Sequence, residues 1–155
     1  MKLSDIFIAD AMVPHLEAKT RDEAIGELVR SLVAAGVVAK RNVPEIVKAV
    51  LARETKATTG IGKGIALPHE RLKCIKRPVG AIGRSAEGID FSALDSKPVY
   101  SVILLLSNSE SADEHLEAME TIFKHVQRDM FRKFLRQSET KEAMIDLIQE
   151  ADELA

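Results

Sequence analysis

The first third of the chain has apolar residues every three or four positions, as on the buried face of an amphipathic helix. One series follows the capping box Thr20–Glu23 and ends before Gly36, which predicts a helix over about 21–35. A second series follows a capping signal at 42–45 and predicts another helix that ends at about 53–54. The apolar members are Ala24, Ile25, Leu28, Leu32 and Ala35 in the first series, and Ile46, Val47, Val50 and Leu51 in the second.

Short apolar segments dominate the middle of the chain, where Gly, Pro, Ser and Asp separate them. They cover 65–67, 79–82 and 99–106, and segments with such lengths and boundaries are typical of β-strands. Residues 102–106 are apolar at every position, which is expected of a strand that is covered on both faces of its sheet. The middle of the chain is therefore predicted to form the sheet.

The last third of the chain returns to helical spacing. A capping box at 111–114 precedes an apolar stripe, which predicts a helix with that stripe on its buried face. Further helices are predicted at about 129–137 and 140–150. Helices, then strands, then helices predict an α/β fold, an α+β-like sandwich in which helices flank a single mixed β-sheet, and 1–155 is expected to be one domain. The stripe consists of Leu116, Met119, Ile122, Phe123 and Val126.

Composition and charge exclude several classes of protein. The 22 basic and 24 acidic residues are interspersed, so no clustered positive surface for nucleic acid is expected. Aromatic residues make up 4% of the chain, which argues against stacking platforms for single strands. Asp5 and Asp10 interrupt any secretory signal, and no apolar stretch has the length of a membrane span. Cys74 is the only cysteine, so no internal disulfide can form, which favours a cytoplasmic protein.

The segment TTGIGKGIALPHE at 58–70 brings three glycines together before a proline and a histidine. A dinucleotide-binding pattern would need Gly in place of Ile65, and a Walker loop would need Gly in place of Ala57 and Ser or Thr in place of Gly64. Neither nucleotide-binding loop is present. The glycines are interpreted as allowing tight turns and close backbone approach, and the proline as fixing the backbone that presents His69.

Two of the four histidines are candidates for chemistry. His69 has no Ser, Cys or metal partner nearby in the sequence, so its ring itself is the candidate nucleophile, and phosphoryl transfer suits such a ring. His115 lies on the inward face of its helix, in the first turn, where a neutral ring can form a hydrogen bond; a core histidine is the alternative. His15 and His125 are interpreted as solvated surface residues.

The potential metal ligands do not suggest a metal site. The spacings between the histidines, and between His69 and Cys74, match no common zinc motif. We therefore expect neither a metal nor a cofactor.

Several separate motifs follow one another along nearly the whole chain. They are Arg53-Glu54, residues 59–69, Gly88–Phe91, Asp95 with Pro98-Val99, and His115-Leu116. Together they resemble the enzyme IIA domain of the fructose/mannitol type, a component of the bacterial phosphoenolpyruvate-dependent sugar phosphotransferase system. The resemblance implies a mixed sheet flanked by helices and a phosphohistidine at His69. It also implies that His115 and Arg53 lie beside this ring and stabilise the phosphoryl group.

One residue departs from the family pattern. The residue after the active histidine is commonly Gly in this family, and here it is Glu70. A carboxylate at this position repels an incoming phosphoryl group unless it is turned away or paired, for which Arg71 is the nearest cation in the sequence. This departure bears on partner choice and transfer rate more than on the fold.

The resemblance implies a cytoplasmic phosphoryl carrier that accepts phosphate from a histidine-containing phosphocarrier protein. A strand-like lead and two helices before the glycine-rich segment make the chain most similar to the nitrogen-regulatory branch, whose phosphorylation state is read by regulated target proteins. A stand-alone fructose or mannitol carrier that passes phosphate to an enzyme IIB is the alternative. A binding module that has lost phosphoryl transfer, with Glu70 as its symptom, is a second alternative. Neither nucleic acid nor membrane insertion is expected.

Overall fold

Six strands form one mixed β-sheet in the computed structural model, which describes residues 1–154. The strands are β1 (Phe7–Val13), β2 (Gly60–Gly62), β3 (Ile65–Ala66), β4 (His69–Leu72), β5 (Val79–Ile89) and β6 (Val99–Asn108). Their order is β1-β5-β6-β3-β2, and β4 pairs with β6 further along the edge that β3 occupies. Strands β3 and β4 run parallel to β6, whereas β5 runs antiparallel to it, so the sheet is mixed as predicted.

Helices cover both faces of the sheet. They are α1 (Leu3–Ile6), α2 (Arg21–Ala34), α3 (Val43–Lys56), α4 (Ala112–Val126), α5 (Asp129–Gln137) and α6 (Lys141–Glu153), with a 3-10 turn at Lys40–Asn42. Helices α2 and α3 bury their apolar residues against one face, and α1, α4, α5 and α6 bury theirs against the other. The capping box that opens α2 is formed as predicted, because Thr20 and Glu23 each accept a hydrogen bond from the other's backbone N–H. The predicted α/β fold is confirmed.

The central strand β6 contributes to the core on both of its faces. Val102, Leu104 and Leu106 pack into the cluster beneath α2 and α3, whereas Ile103 and Leu105 pack beneath the other helices. All five side chains are at most 1% exposed, and full burial of such a side chain is worth about 1.5–3 kcal/mol. The prediction that this strand is covered on both faces is confirmed.

Strand β5 is longer than the segment 79–82 that was predicted from the sequence, because it continues through Arg84 and Ser85 to Ile89. Arg84 is 8% exposed, and within residues 1–154 it forms no salt bridge. Its guanidinium instead donates hydrogen bonds to the backbone carbonyls of Pro14, at 2.8 Å, and Arg136, at 2.9 Å. The polar residues in this half of β5 did not indicate a strand, because the carbonyl groups that accept hydrogen bonds from Arg84 are far away in the sequence.

Helix α4 buries Ile122 and Val126 of the predicted apolar stripe and packs Met119 and Phe123 against the core, but its buried face is shifted from the prediction. Leu116 is 58% exposed, and His125, which was interpreted as solvated, is 2% exposed. The buried face is instead centred on Ala118, Ile122, His125 and Val126. The small Ala118 side chain lets this face approach the sheet, so the helix is rotated relative to the prediction and the apolar Leu116 points outward. His15 is exposed, as predicted.

The burial of His125 makes the stability of the fold depend on pH. Its ring lies 5.9 Å from the Phe131 ring, and its Nδ1 has no hydrogen-bond partner within residues 1–154. Burial, and then the positive charges of Arg128 and Lys124, lower the pKa of His125, and Asp152 opposes this only in part. The unfolded chain therefore binds a proton more readily than the folded protein as the pH falls through about 6.5.

We predict that the free energy of unfolding decreases as the pH is lowered from 7 to 5, and that His125→Gln makes this decrease shallower. One proton can account for a slope of at most about 1.4 kcal/mol per pH unit. Urea unfolding at several pH values measures the slope. The matched control is His15→Gln at an exposed position, which should keep the wild-type slope. Equal slopes in wild type and His125→Gln would show that His125 does not couple stability to pH.

Candidate functional site

His69 lies at the first position of β4, where the neighbouring strand β6 fixes its backbone. The N–H of Leu105 on β6 donates to the carbonyl of Pro68, and His69 itself pairs with Leu105 in the parallel register. The His69 ring is half-buried, and its Nδ1 lies 2.7 Å from the carbonyl oxygen of Leu67. A carbonyl can only accept, so Nδ1 carries the hydrogen and the lone pair of the neutral ring lies on Nε2.

The glycine-rich segment forms the tight β2–β3 hairpin that leads to this histidine. Gly62 and Gly64 adopt positive φ angles of +95° and +79°, which suit glycine, and Lys63 between them lies at +58°. At Gly60 an added Cβ would lie 2.8 Å from the Ala93 side chain, so the close approach also requires glycine there. The predicted role of the glycines in tight turns and close contacts is confirmed.

His115 lies in the first turn of α4 and faces His69. The two ring centroids are 5.7 Å apart, so the structure brings together the two histidines that were selected from the sequence. Nδ1 of His115 lies 2.8 Å from the hydroxyl oxygen of Ser107. Burial, followed by the nearby His69 and Arg71, lowers the pKa of His115, while Glu70 acts in the opposite direction. The ring is therefore neutral near pH 7 and can donate one hydrogen bond.

Ser107 is a site residue that the sequence analysis missed. It lies on β6 two residues beyond Leu105, the strand partner of His69, and it is 0% exposed. Its hydroxyl is the hydrogen-bond partner of His115, so it orients that ring from the side of the sheet. The available signal was a hydroxyl directly after the apolar run 102–106, at the end of a buried strand.

Arg53 lies in the last turn of α3, and its guanidinium donates a hydrogen bond of 2.9 Å to the carbonyl of Ala57. Within residues 1–154, the structure gives it no hydrogen bond to His69 or His115. Glu54, the next residue, is 2% exposed and accepts hydrogen bonds from the backbone N–H and the hydroxyl of Thr59, both at 2.6 Å. This carboxylate links the end of α3 to the glycine-rich segment through hydrogen bonds. It therefore fixes the position of the Arg53 backbone relative to the β2–β3 hairpin.

Glu70 and Arg71 follow His69 on β4 and lie on opposite faces of the strand. Because side chains alternate along a strand, Arg71 shares the face of His69, and Glu70 does not. The Glu70 carboxylate accepts a hydrogen bond of 2.8 Å from the backbone N–H of Arg71, which partly offsets its charge. The exposed Arg71 therefore adds a positive charge beside the histidine pair.

Residues 1–154 show neither a metal cluster nor a membrane span. They contain no group of three or more His, Cys, Asp and Glu side chains that could hold a metal ion. None of the helices in this part of the chain combines the length and the apolar character that a membrane crossing requires.

The sequence of the chain matches a known family of proteins. The sequence model of the family "Phosphoenolpyruvate-dependent sugar phosphotransferase system, EIIA 2" matches residues 5–151. The chain therefore belongs to this family, whose members are components of phosphotransferase systems.

Relatives of two kinds resemble the chain. The fructose-specific EIIABC component of Bacillus subtilis is 32% identical over 98% of this chain, which spans only 24% of that longer protein. The fructose-specific EIIA component of Haloferax volcanii is 34% identical over 86% of each chain. A nitrogen regulatory protein of Bradyrhizobium diazoefficiens is 28% identical over 96% of this chain and 95% of its own length.

Solved structures agree with the fold. Nitrogen regulatory protein IIA-Ntr from Neisseria meningitidis superposes with a TM-score of 0.83 at 25% identity, over 94% of this chain and 98% of its own. IIA mannitol from Escherichia coli superposes with a TM-score of 0.73 at 23% identity, over 91% of this chain and 97% of its own. Relatives named for sugar uptake and for nitrogen regulation thus share this architecture.

Proposed function

We propose that the protein is a phosphoryl carrier that accepts phosphate on Nε2 of His69 from a histidine-containing phosphocarrier protein. The observation that supports this most directly is the hydrogen bond from Nδ1 of His69 to the Leu67 carbonyl, because it leaves the Nε2 lone pair free. The Nε2 lone pair attacks the phosphorus of the donor's phosphohistidine. The P–N bond of the donor then breaks, and its electron pair returns to the donor's ring. The reaction takes place in the cytoplasm, where phosphoenolpyruvate is made.

The surroundings of His69 support this chemistry. A phosphorylated imidazole carries positive charge on its ring, so the hydrogen bond from Nδ1 to the Leu67 carbonyl becomes charge-assisted and stronger. The ring cannot rotate without losing that bond, which keeps Nε2 at a fixed angle to the incoming donor. Positioning of this kind supplies much of the catalysis in phosphoryl transfer.

His115 supplies a hydrogen-bond donor to the phosphoryl group. Nδ1 of His115 lies 2.8 Å from the Ser107 hydroxyl. In this proposal the hydroxyl donates to Nδ1, so the neutral ring carries its hydrogen on Nε2. With the two rings 5.7 Å apart, this N–H is within reach of an oxygen of a phosphoryl group on His69. The donor is fixed before the charge arrives, which is the arrangement that stabilises a charged transition state.

Two arginines add positive charge to this site. Arg71 shares the face of His69 on β4. Arg53 reaches the phosphoryl group when its guanidinium gives up the Ala57 carbonyl, whose hydrogen bond can be replaced by water at this exposed helix end. The guanidinium then binds phosphoryl oxygens through two N–H groups.

We predict that Arg53→Gln slows phosphoryl transfer to His69 by roughly ten- to a hundredfold, the range expected when one charged hydrogen bond is lost. Single-turnover transfer from a phosphorylated donor measures the rate. The matched control is Arg41→Gln at an exposed position near the other end of α3. If both variants transfer at the wild-type rate, Arg53 acts only as a helix-terminal residue, and Arg71 is the cation that remains to be tested.

The branch of the family is proposed to be the nitrogen-regulatory one, in which target proteins read the phosphorylation state. The Bradyrhizobium relative, named as a nitrogen regulatory protein, matches over 95% of its own length, and the Neisseria structure over 98%. The alternative is a fructose or mannitol carrier that passes phosphate to an enzyme IIB, which the Haloferax relative favours. The second alternative is a binding module without transfer. It is weakened by the histidine pair, whose rings lie 5.7 Å apart, and by the hydrogen bond that the Glu70 carboxylate accepts from the Arg71 backbone N–H.

Incubation with phosphoenolpyruvate and the general phosphocarrier proteins tests the proposed function. The protein should gain one phosphoryl group that is labile in acid and stable in base, as shown by intact mass and ³¹P NMR. Offering the phosphorylated protein to a fructose-type enzyme IIB then separates the two branches, because rapid transfer supports sugar uptake and its absence supports regulation. A protein that gains no phosphoryl group would be the binding module of the second alternative.

A further inference from the structure

A basic cavity lies at the end of the sheet away from His69. Its volume is about 400 Å³, which is within the usual range for small-molecule sites. The wall is formed by the β2–β3 hairpin, the start of β6 and the helix α5. Together with a continuous groove along α5 it presents five basic and three acidic side chains, on a protein whose overall charge is −2.

Basic side chains outnumber acidic ones here, and two of the three acidic side chains already have partners. The Asp95 carboxylate accepts hydrogen bonds from the backbone N–H groups of Lys63, at 3.0 Å, and Lys97, at 3.1 Å. Asp129 is paired with Arg132. The ammonium groups of Lys63 and Lys97 and the guanidinium of Arg136 form no salt bridge within residues 1–154.

Arg136 is held in place although it has no ionic partner. Its guanidinium carbon lies 3.6 Å from the centroid of the Tyr100 ring, so the planar group is stacked on that ring and its N–H groups remain free at the edges. Arg84 fixes the same helix end, because it donates a hydrogen bond of 2.9 Å to the Arg136 carbonyl. A stacked arginine with free N–H groups is pre-organised to bind an anion bidentately.

A nearly buried hydroxyl lines the same cavity. Ser101 is 2% exposed and contributes to the cavity wall. A hydroxyl in the cavity wall can donate a hydrogen bond to a ligand oxygen. It lies next to the hairpin, since Ser101 pairs with Ile65 in the parallel register.

The cavity is distinct from the histidine site. Ser101 and Leu105, which pair with Ile65 and His69, are four residues apart on β6. At about 3.3 Å per residue this places the two sites roughly 13 Å apart along the strand. The phosphoryl-transfer chemistry proposed for His69 uses none of the residues of the cavity.

We propose that this cavity binds a small phosphate-bearing metabolite. The Arg136 guanidinium and the Lys63 ammonium group bind the phosphate oxygens, and the Ser101 hydroxyl donates to an oxygen of the same ligand. The rest of the cavity, beside Pro98 and Tyr100, accommodates the uncharged part of the ligand. The inference is independent of the proposed function, because it would hold for a protein that cannot be phosphorylated.

Amide NMR of the ¹⁵N-labelled full chain tests this site, with inorganic phosphate and glucose 6-phosphate as probes at constant ionic strength. Glucose serves as the uncharged control. We expect saturable shifts in the millimolar range or tighter for the amides of Gly64, Tyr100 and Ser101, with glucose 6-phosphate binding more tightly than inorganic phosphate. The amides of Glu70 and Leu106 report separately on binding beside His69.

Two variants and one control locate the binding. Arg136→Gln should weaken binding by roughly ten- to a hundredfold, as expected for the loss of a charged hydrogen-bond donor. Lys63→Asn is the second variant, chosen because Asn tolerates the positive φ of this position, and should weaken binding in the same direction. Arg128→Gln removes the same charge outside the cavity and should bind as wild type does.

Three outcomes would overturn the proposal. The first is the absence of saturable shifts with either phosphate probe. The second is a pattern of shifts confined to Glu70 and Leu106, which would place the anion beside His69. The third is equal affinity in Arg136→Gln, Lys63→Asn and wild type while all three have similar melting temperatures, because the basic cavity would then not be the site.

Discussion

His69→Ala protein is expected to gain no phosphoryl group when it is incubated with phosphoenolpyruvate and the general phosphocarriers. The reason is that Nε2 of His69 is the ring nitrogen left free by the hydrogen bond to the Leu67 carbonyl, and no Ser, Cys or metal in this segment could replace it. Intact mass under neutral conditions, with ³¹P NMR of the wild type, measures the modification. The expected effect is complete loss, from one phosphoryl group to none.

The matched control is His15→Ala, which removes an exposed imidazole far from β4 in the sequence and should be labelled fully. His115→Ala should still gain a phosphoryl group, although slowly. Undiminished labelling of His69→Ala would show that another residue is the acceptor. The proposed mechanism would then be wrong, because every other part of it depends on the position of His69.

Much of the fold was predictable because local signals and burial agree. The local signals act over a few residues each, and the elements that they predict are present. They are the capping box at Thr20, the apolar run on β6, and the Gly, Pro, Ser and Asp residues between the apolar segments. The polar half of β5 was not predictable, because Arg84 is satisfied by carbonyls that lie 70 and 52 residues away. A buried charged residue whose hydrogen-bond partners are distant in the sequence therefore resembles a loop residue when only its neighbours are considered.

The error on α4 has a similar origin. Periodicity indicates that a helix has an apolar face, but it does not determine the rotation of the helix when two faces are possible. The small Ala118 allows the helix to turn a face towards the sheet that includes His125, and the larger Leu116 is left at the surface. The exposed Leu116 side chain lies next to His115 in the sequence, where a docking protein can contact it.

The candidate site was predictable only in part for the same physical reason. His69 and His115 stood out because a proline and a helix start accompany them in the sequence, and the structure places their rings 5.7 Å apart. Ser107 could be recognised only after the sheet register was known, because it becomes relevant through its position opposite Arg71 on β4 and beneath His115. A hydroxyl that orients another side chain has no recognisable pattern in a single sequence.

The second large effect is expected from His115, for which two interpretations give different results. If His115 only packs, His115→Ala should lower the free energy of unfolding by about 1–3 kcal/mol and leave transfer by the folded protein unchanged. If its Nε2–H binds the phosphoryl group, the folded variant should accept and pass on phosphate about 10²–10³ times more slowly, which is the usual cost of one oriented donor. We expect the second result.

Two further variants distinguish donation from packing, with melting and single-turnover transfer measured on the same samples. His115→Gln keeps an N–H donor of similar reach, so its rate should lie between those of wild type and His115→Ala. Ser107→Ala removes the hydroxyl that is hydrogen-bonded to Nδ1 of His115 and orients its ring, so its rate should also be intermediate. Near-normal transfer in a well-folded His115→Ala protein would reduce His115 and Ser107 to packing, and stabilisation of the phosphoryl group would then rest on Arg53 and Arg71.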